Sequence, residues 1–201
     1  MVAVITGDVI NSRSLNPDIW LDIIKSILKR NKIPSKKWEI FRGDMLQIEL
    51  DSGKVLSLAL ELKAAIKEHK DLDLRMSIGI GAINYEASNV IESNGEAYIL
   101  SGKGFERLKN RTLTIETPWK EFNKRWKVIL DLCLMTMNNW TPGSAHLFKS
   151  SLQFPGLTQK EIAKKMNRSQ STISEGLSRS GHSEISAMME LFEEEIKVKL
   201  E

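Results

Sequence analysis

Apolar positions recur along the chain with two periods, and the switch between them marks out the elements. Val2 to Thr6 is a short β-branched run that predicts a strand, broken by Gly7-Asp8. From Pro17 to Lys32, Ile19, Trp20, Ile23, Ile24, Ile27 and Leu28 fall at helical spacing, and Pro34 stops the helix. Trp38 to Arg42 and Met45 to Leu50 predict two strands joined by a two-residue turn at Gly43-Asp44. Lys54 to His69 is helical again, through Val55, Leu58, Ala59, Leu62 and Ile66. Leu74 to Ile83 alternates Met76, Ile78 and Ile80 against Ser77, Gly79 and Gly81, and predicts a strand. Tyr85 to Asn94 reads as loop. Glu96 to Asn110 reads as a helix weakened by Gly102 and Gly104, and Leu113 to Glu116 as a last short strand.

The order β-α-β-β-α-β, followed by α-β, is the ferredoxin-like, split βαβ arrangement. It predicts an α+β fold whose antiparallel sheet is covered on one face by helices. The first strand is expected beside the second and third. Pro118 marks an expected boundary between a ferredoxin-like domain, 1–117, and an all-α domain, 118–201. Trp119 to Trp140 holds three of the five tryptophans, and Phe122, Trp126, Ile129, Leu130, Cys133, Met137 and Trp140 repeat at helical spacing. Thr141-Pro142-Gly143 ends that buried helix, Ser144 to Gln153 forms a shorter one, and Phe154-Pro155-Gly156 is a turn.

Thr158 and Glu161 have the spacing of a capping box, with Ile162, Ala163 and Met166 on one side of the helix they open. The chain turns at Asn167-Arg168, where Asn tolerates the left-handed conformation. Ser169 caps a second helix, Gln170 to Ser180, with Ile173 and Leu177 inward. Ala163 supplies the small residue that two closely crossing helices need. This is a helix-turn-helix over about 157–180. The stretch Leu-Thr-Gln-Lys-Glu-Ile-Ala-Lys-Lys-Met-Asn-Arg-Ser-Gln-Ser-Thr-Ile-Ser resembles the motif of bacterial repressors and sigma factors. It departs at Asn167, where Gly is usual, and at Gly176, which weakens the reading helix. Gln170, Ser171, Thr172, Ser174, Glu175 and Arg179 are expected to face outward. With Lys160, Lys164, Arg168 and Ser169 they are the candidate DNA contacts. A helical hairpin used for protein contacts is the alternative. Ser183 is expected to cap a last helix with Ile185, Met188, Met189, Phe192 and Ile196 on one face. That face either packs on the motif or pairs with its copy in a homodimer, and the sequence leaves both open.

Net charge is only +3, but its distribution is uneven. Lys160, Lys164, Lys165, Arg168 and Arg179 stand against Glu161 and Glu175 within 157–180, while Glu184 to Glu201 carries six acids and two lysines. The basic balance is confined to the motif, as a nucleic-acid face requires. Apolar residues make up 41% and charged residues 27%, a globular balance, and no apolar run approaches the ~20 residues that span a bilayer. Cys133 is the only cysteine, which excludes an internal disulfide and a cysteine metal cluster. These features point to the cytoplasm, with no membrane partner. His69, His146 and His182 have no metal-ligand spacing.

Asp8 and Asp44 are expected to project from the same edge of the sheet. Two carboxylates there hold Mg²⁺, which favours hard oxygen ligands and substrate phosphates. Asn11, Ser12 and Arg13 after the first strand, and Arg42 beside the hairpin, are candidate phosphate contacts. Each aspartate taken alone is an ordinary Gly-Asp turn.

The blocks Ile-Thr-Gly-Asp-Val-Ile-Asn-Ser-Arg, Phe-Arg-Gly-Asp, Arg-Met-Ser-Ile-Gly-Ile-Gly and Gly-Glu-Ala-Tyr, spread over residues 4 to 103, resemble the SatD family. More distantly they resemble class III nucleotide cyclases. That likeness implies that Asp8 and Asp44 match the metal aspartates and Met76 to Gly81 the Gly-rich fourth strand. The transition-state Asn and Arg positions read as Ile99 and Lys103, and the base-reading Lys position as Ile40. Ile99 cannot donate to a developing charge, a loss worth ~10²–10³ in rate, so a sensor fits better than a cyclase. Lys103 stays a candidate phosphate contact. Two functional readings follow, beside a third in which the chain is a structural domain that binds no ligand. One is a DNA-binding transcriptional regulator whose N-terminal domain senses a nucleotide-like ligand with Mg²⁺ and biases the motif through the helix 119–140. The other is a metal-dependent nucleotide enzyme with a DNA-targeting module.

Overall fold

A computed structural model describes all 201 residues. The protein is mixed α and β. β1 (Val2–Ile10) leads to α1 (Pro17–Arg30), β2 (Trp38–Phe41), β3 (Met45–Leu50), α2 (Val55–Ile66) and β4 (Asp73–Gly81). The short strands β5 (Ile83–Tyr85) and β6 (Asn94–Gly95) pair with each other ahead of α3 (Glu96–Glu106) and β7 (Leu113–Glu116). Five helices follow: α4 (Lys120–Met137), α5 (Pro142–Gln153), α6 (Gln159–Lys165), α7 (Gln170–Arg179) and α8 (His182–Leu200). None is long and apolar enough to cross a membrane.

Five strands form one sheet in the order β2-β3-β1-β4-β7, with β7 parallel to β4 and the other pairs antiparallel. The central β1 therefore neighbours β3 and β4, not β2 and β3 as expected. It also does not end at Gly7-Asp8. A Cβ on Gly7 would meet the Arg75 carbonyl oxygen at 2.7 Å and Met76 Cγ at 2.9 Å, so this glycine lets the strands close rather than turn. Asp8 lies inside the ladder, between Met45 and Arg75.

Strand parity divides the sheet into two faces. Ala3, Ile5 and Val9, with Leu46, Ile48, Leu74, Met76, Ile78, Ile80, Leu113 and Ile115, join helices α1, α2, α4, α5 and α8 in one core of 37 buried residues. In α2 only Ser57 escapes burial, so this helix lies at the centre of the layer. Its two buried charges are paired: Lys63 donates to Asp73 at 2.7 Å and to Thr112 at 2.9 Å, and Glu61 accepts from Arg30 and Asn31.

The opposite face is covered by α3, so helices lie on both faces and not on one. The small half of the β4 alternation explains this. A Cβ on Gly79 would fall 2.2 Å from the Ala97 carbonyl oxygen, and one on Gly81 2.8 Å from the Ala97 nitrogen. The strip lets α3 sit directly on the strand. Val4, Val90, Ala97 and Tyr98 form the small apolar cluster there.

The main core continues through Pro118. Phe122, Trp126, Leu130, Leu134 and Met137 of α4 belong to the same cluster as Ile5. Trp126 meets Phe192 of α8 edge to face at 5.1 Å. The apolar face of α8, Ile185, Met188, Phe192 and Ile196, is buried in this core. Ser183 does not cap α8: the helix opens behind Gly181, at φ 67°.

Candidate functional site

The best-defined local geometry is that of α6 and α7. The Thr158 hydroxyl accepts from the Glu161 amide while the Glu161 carboxylate accepts from the Thr158 amide at 2.8 Å. Both halves of the capping box are made. α6 ends with Asn167 at φ 51°, the Asn167 amide bonding to the Lys164 carbonyl at 3.3 Å and the Arg168 amide to the Ala163 carbonyl at 2.9 Å. That bond pair is a Schellman turn, with Asn167 in its left-handed position. Ser169 then caps α7 by accepting from the Thr172 amide at 3.1 Å.

Ile162, Ala163, Ile173 and Leu177 form a separate buried cluster, with Leu147 of α5 and Met166 against it. Gly176 corrects the sequence expectation. It faces inward, and a Cβ there would lie 2.0 Å from Leu147 Cδ1. It costs helix propensity, about 1 kcal/mol, but lets α7 lie on α5. At the far end of α7, the Trp140 indole donates to the Ser180 carbonyl at 2.8 Å, which ties the end of α4 to the α7–α8 junction.

All ten candidate DNA contacts are exposed: Lys160, Lys164, Arg168, Ser169, Gln170, Ser171, Thr172, Ser174, Glu175 and Arg179. Two details limit their freedom. The Ser169 hydroxyl also meets those of Ser171 and Thr172, at 2.9 and 2.8 Å. Glu175 and Arg179 pair loosely at 3.6 Å.

The second candidate region lies at the end of β1. Asn11, Ser12, Arg13 and Asp44 share an open cleft of 490 Å³ with Val9 and Ser14. Ser12 donates its hydroxyl to Asp44 at 2.7 Å. Asn11 adopts φ 58° and donates through its side chain to the Asp71 carbonyl at 2.8 Å, which fixes the turn out of β1. The hairpin has three residues, not two: Phe41 pairs with Met45, leaving Arg42 at φ 51°, Gly43 at φ 95° and Asp44. Arg42 is exposed. Lys103 is exposed on α3 and does not line this cleft. Ile99 is also exposed, whereas Ile40 packs on the main core.

Asp8 and Asp44 are not free to the same degree. Both oxygens of Asp8 are held by Arg75, Nε to Oδ1 at 3.0 Å and Nη2 to Oδ2 at 2.5 Å. The Phe105 ring lies under the guanidinium at 5.1 Å. The bonded Asp8 carboxylate, helped by the charge of Asp44, pushes the Arg75 pKa above its ordinary value. Arg75 thus holds Asp8 from the β4 side, while Asp44 lies in the turn before β3 on the other side of β1. Nowhere do three or more His, Cys, Asp or Glu side chains gather as a metal-ligating group.

Arg75 was missed in the sequence because its partner is 67 residues away and nothing local marks it. Its position on the polar parity of β4 is the available signal. The Gly-Glu-Ala-Tyr block also gains a structural role: Tyr98 donates its hydroxyl to buried Glu49, which also accepts from Lys37. Burial, first, and the Glu49 bond push the Tyr98 pKa up. Compared with protein-family models, the chain matches none, and no curated protein matches it.

Proposed function

We propose that the protein is a DNA-binding regulator that reads DNA with α7 of a helix-turn-helix formed by α6 and α7, on a body of ferredoxin-like, split βαβ type. One observation carries the reading: Ile173, Gly176 and Leu177 consume the inner face of α7, which leaves its polar face unoccupied beside three exposed cations. A ten-residue helix is ~15 Å long, and the major groove, about 12 Å wide, admits one. Gln170, Ser171, Thr172 and Ser174 have the chemistry to read base edges, while Lys160, Lys164 and Arg168 have the charge to hold phosphates. The test is anisotropy titration against genomic DNA fragments at several salt concentrations. Binding that weakens with salt, and weakens further in Lys164→Ala and Arg168→Ala, supports the reading. Salt-insensitive binding, or unaltered variants, sinks it.

A second reading assigns the β1 edge to a phosphate ligand such as a nucleotide, with Mg²⁺ on Asp8 and Asp44. The shared cleft of Asp44, Ser12 and Arg13 favours it. The Arg75 grip on Asp8 opposes metal binding there in a sensor and in an enzyme alike, because a metal would first have to displace a guanidinium. Incubation with nucleoside triphosphates and Mg²⁺ separates sensor from enzyme: turnover abolished by Asp8→Ala establishes the enzyme. The Trp140–Ser180 bond joins the segment just after α4 to the end of α7 and is the physical route by which α4 would bias α7.

A further inference from the structure

Between the α6–α7 pair and the body lies a cavity of 480 Å³, within the ~300–1,000 Å³ range of small-molecule sites. Its walls come from α2, α5, the α5–α6 turn, α6, α7 and α8. Leu152, Phe154, Leu157, Ile162 and Met189 make much of the lining apolar. Two charged side chains line it besides His182, namely Glu190 and Glu193, both on α8 and both exposed. Three residues apart, they share one helix face. No lysine or arginine lines the space. Burial pushes the His182 pKa down, which disfavours its charged form. The Phe154 ring already takes a cation, Lys165, at 4.5 Å.

We propose that this cavity is a binding site for a small organic cation with an apolar body. The apolar walls take the body by the hydrophobic effect. The glutamates at the rim meet the charge, and a guest cation brought to an apolar site needs such a partner. An anion of equal size would meet two carboxylates and no lysine or arginine among the lining residues, with the nearest cation, Lys165, engaged on the Phe154 ring. The volume suits a small molecule and not a helix or a second domain.

The position gives the guest leverage. α6 and α7 are bracketed by Gly156 at φ 84° and Gly181 at φ 67°, and Gly156 lines the cavity. A guest wedged between α7 and α8 biases how the pair sits on the body. That consequence for DNA affinity rests on the DNA-binding reading; occupancy of the cavity does not.

The test uses the full chain without DNA, titrated calorimetrically with tetraphenylphosphonium and with its isosteric anion tetraphenylborate. The cation binds and the anion binds at least tenfold more weakly. Glu190→Gln with Glu193→Gln weakens the cation by about fivefold or more and does not weaken the anion. Both substitutions are at exposed positions, so the fold survives them, which circular dichroism checks. Equal affinity for the two ions, absence of cation binding, or full affinity in the double variant overturns the proposal. A failed titration leaves DNA binding untouched, and a failed DNA titration leaves the cation result standing, so the two are told apart.

Discussion

Asp8 and Arg75 face each other across the β1–β4 ladder and join through two parallel hydrogen bonds, one to each carboxylate oxygen. Arg75→Met leaves a half-buried carboxylate without its partner and is expected to destabilise the fold by about 1–3 kcal/mol. Adding Asp8→Asn removes the stranded charge and recovers part of the loss. Urea unfolding of the two single variants and the double variant gives the coupling; additive losses would mean the pair is not coupled.

Gly176 and Leu147 are expected to behave as one unit. Gly176→Ala gains helix propensity and sets a Cβ 2.0 Å from Leu147 Cδ1, the free end of a half-buried side chain that can swing aside. The variant is expected to hold the parent's stability or exceed it by up to about 1 kcal/mol, with Leu147 in a new rotamer. Thermal unfolding that shows a loss of about 1–3 kcal/mol instead would mean that Leu147 cannot move and the site is overpacked.

On the DNA-binding reading, the exposed residues of α6 and α7 divide by role. Lys164→Ala weakens binding evenly across DNA sequences and reduces the salt slope by about 1. Gln170→Ala relaxes sequence preference by about 1–3 kcal/mol at one base pair. Selection from a randomised DNA pool, run with both variants, distinguishes the two effects.

Lys63 gives the stability a defined pH dependence. Burial, only partly offset by Asp73, lowers its pKa to about 8 in the fold, against ~10.4 when unfolded. Below pH 8 both states carry the proton, and the cost of burying the charge is fully present. Between pH 8 and about 10.4 the unfolded state binds more protons, so stability rises with pH through this group. The parent should therefore gain on Lys63→Met across that window in chemical denaturation. A constant difference between the two proteins would show that Lys63 does not titrate there.

Elements whose side chains alternate or repeat locally were readable in the sequence. The hairpin strands, α1, α2 and the capped α6–α7 pair all announce themselves within a dozen residues. What failed was long-range. Gly7-Asp8 reads as a turn until Arg75 and Met76 are brought alongside it, and Gly176 reads as a weak point until Leu147 lies against it. The Gly79 and Gly81 strip was visible, but its use as a seat for α3 depends on which face each residue takes. In the candidate site the cleft residues were legible as a cluster after β1, while the guanidinium that holds Asp8 was not.

Four buried residues hold α6 to α7, against 37 in the body. Such a small cluster makes this pair a low-stability unit that opens without unfolding the rest, and slow hydrogen exchange belongs to the sheet and α2. Sequence drift on α7 therefore leaves the body intact. On the DNA-binding reading, a lineage of such proteins can change what α7 contacts without rebuilding the body.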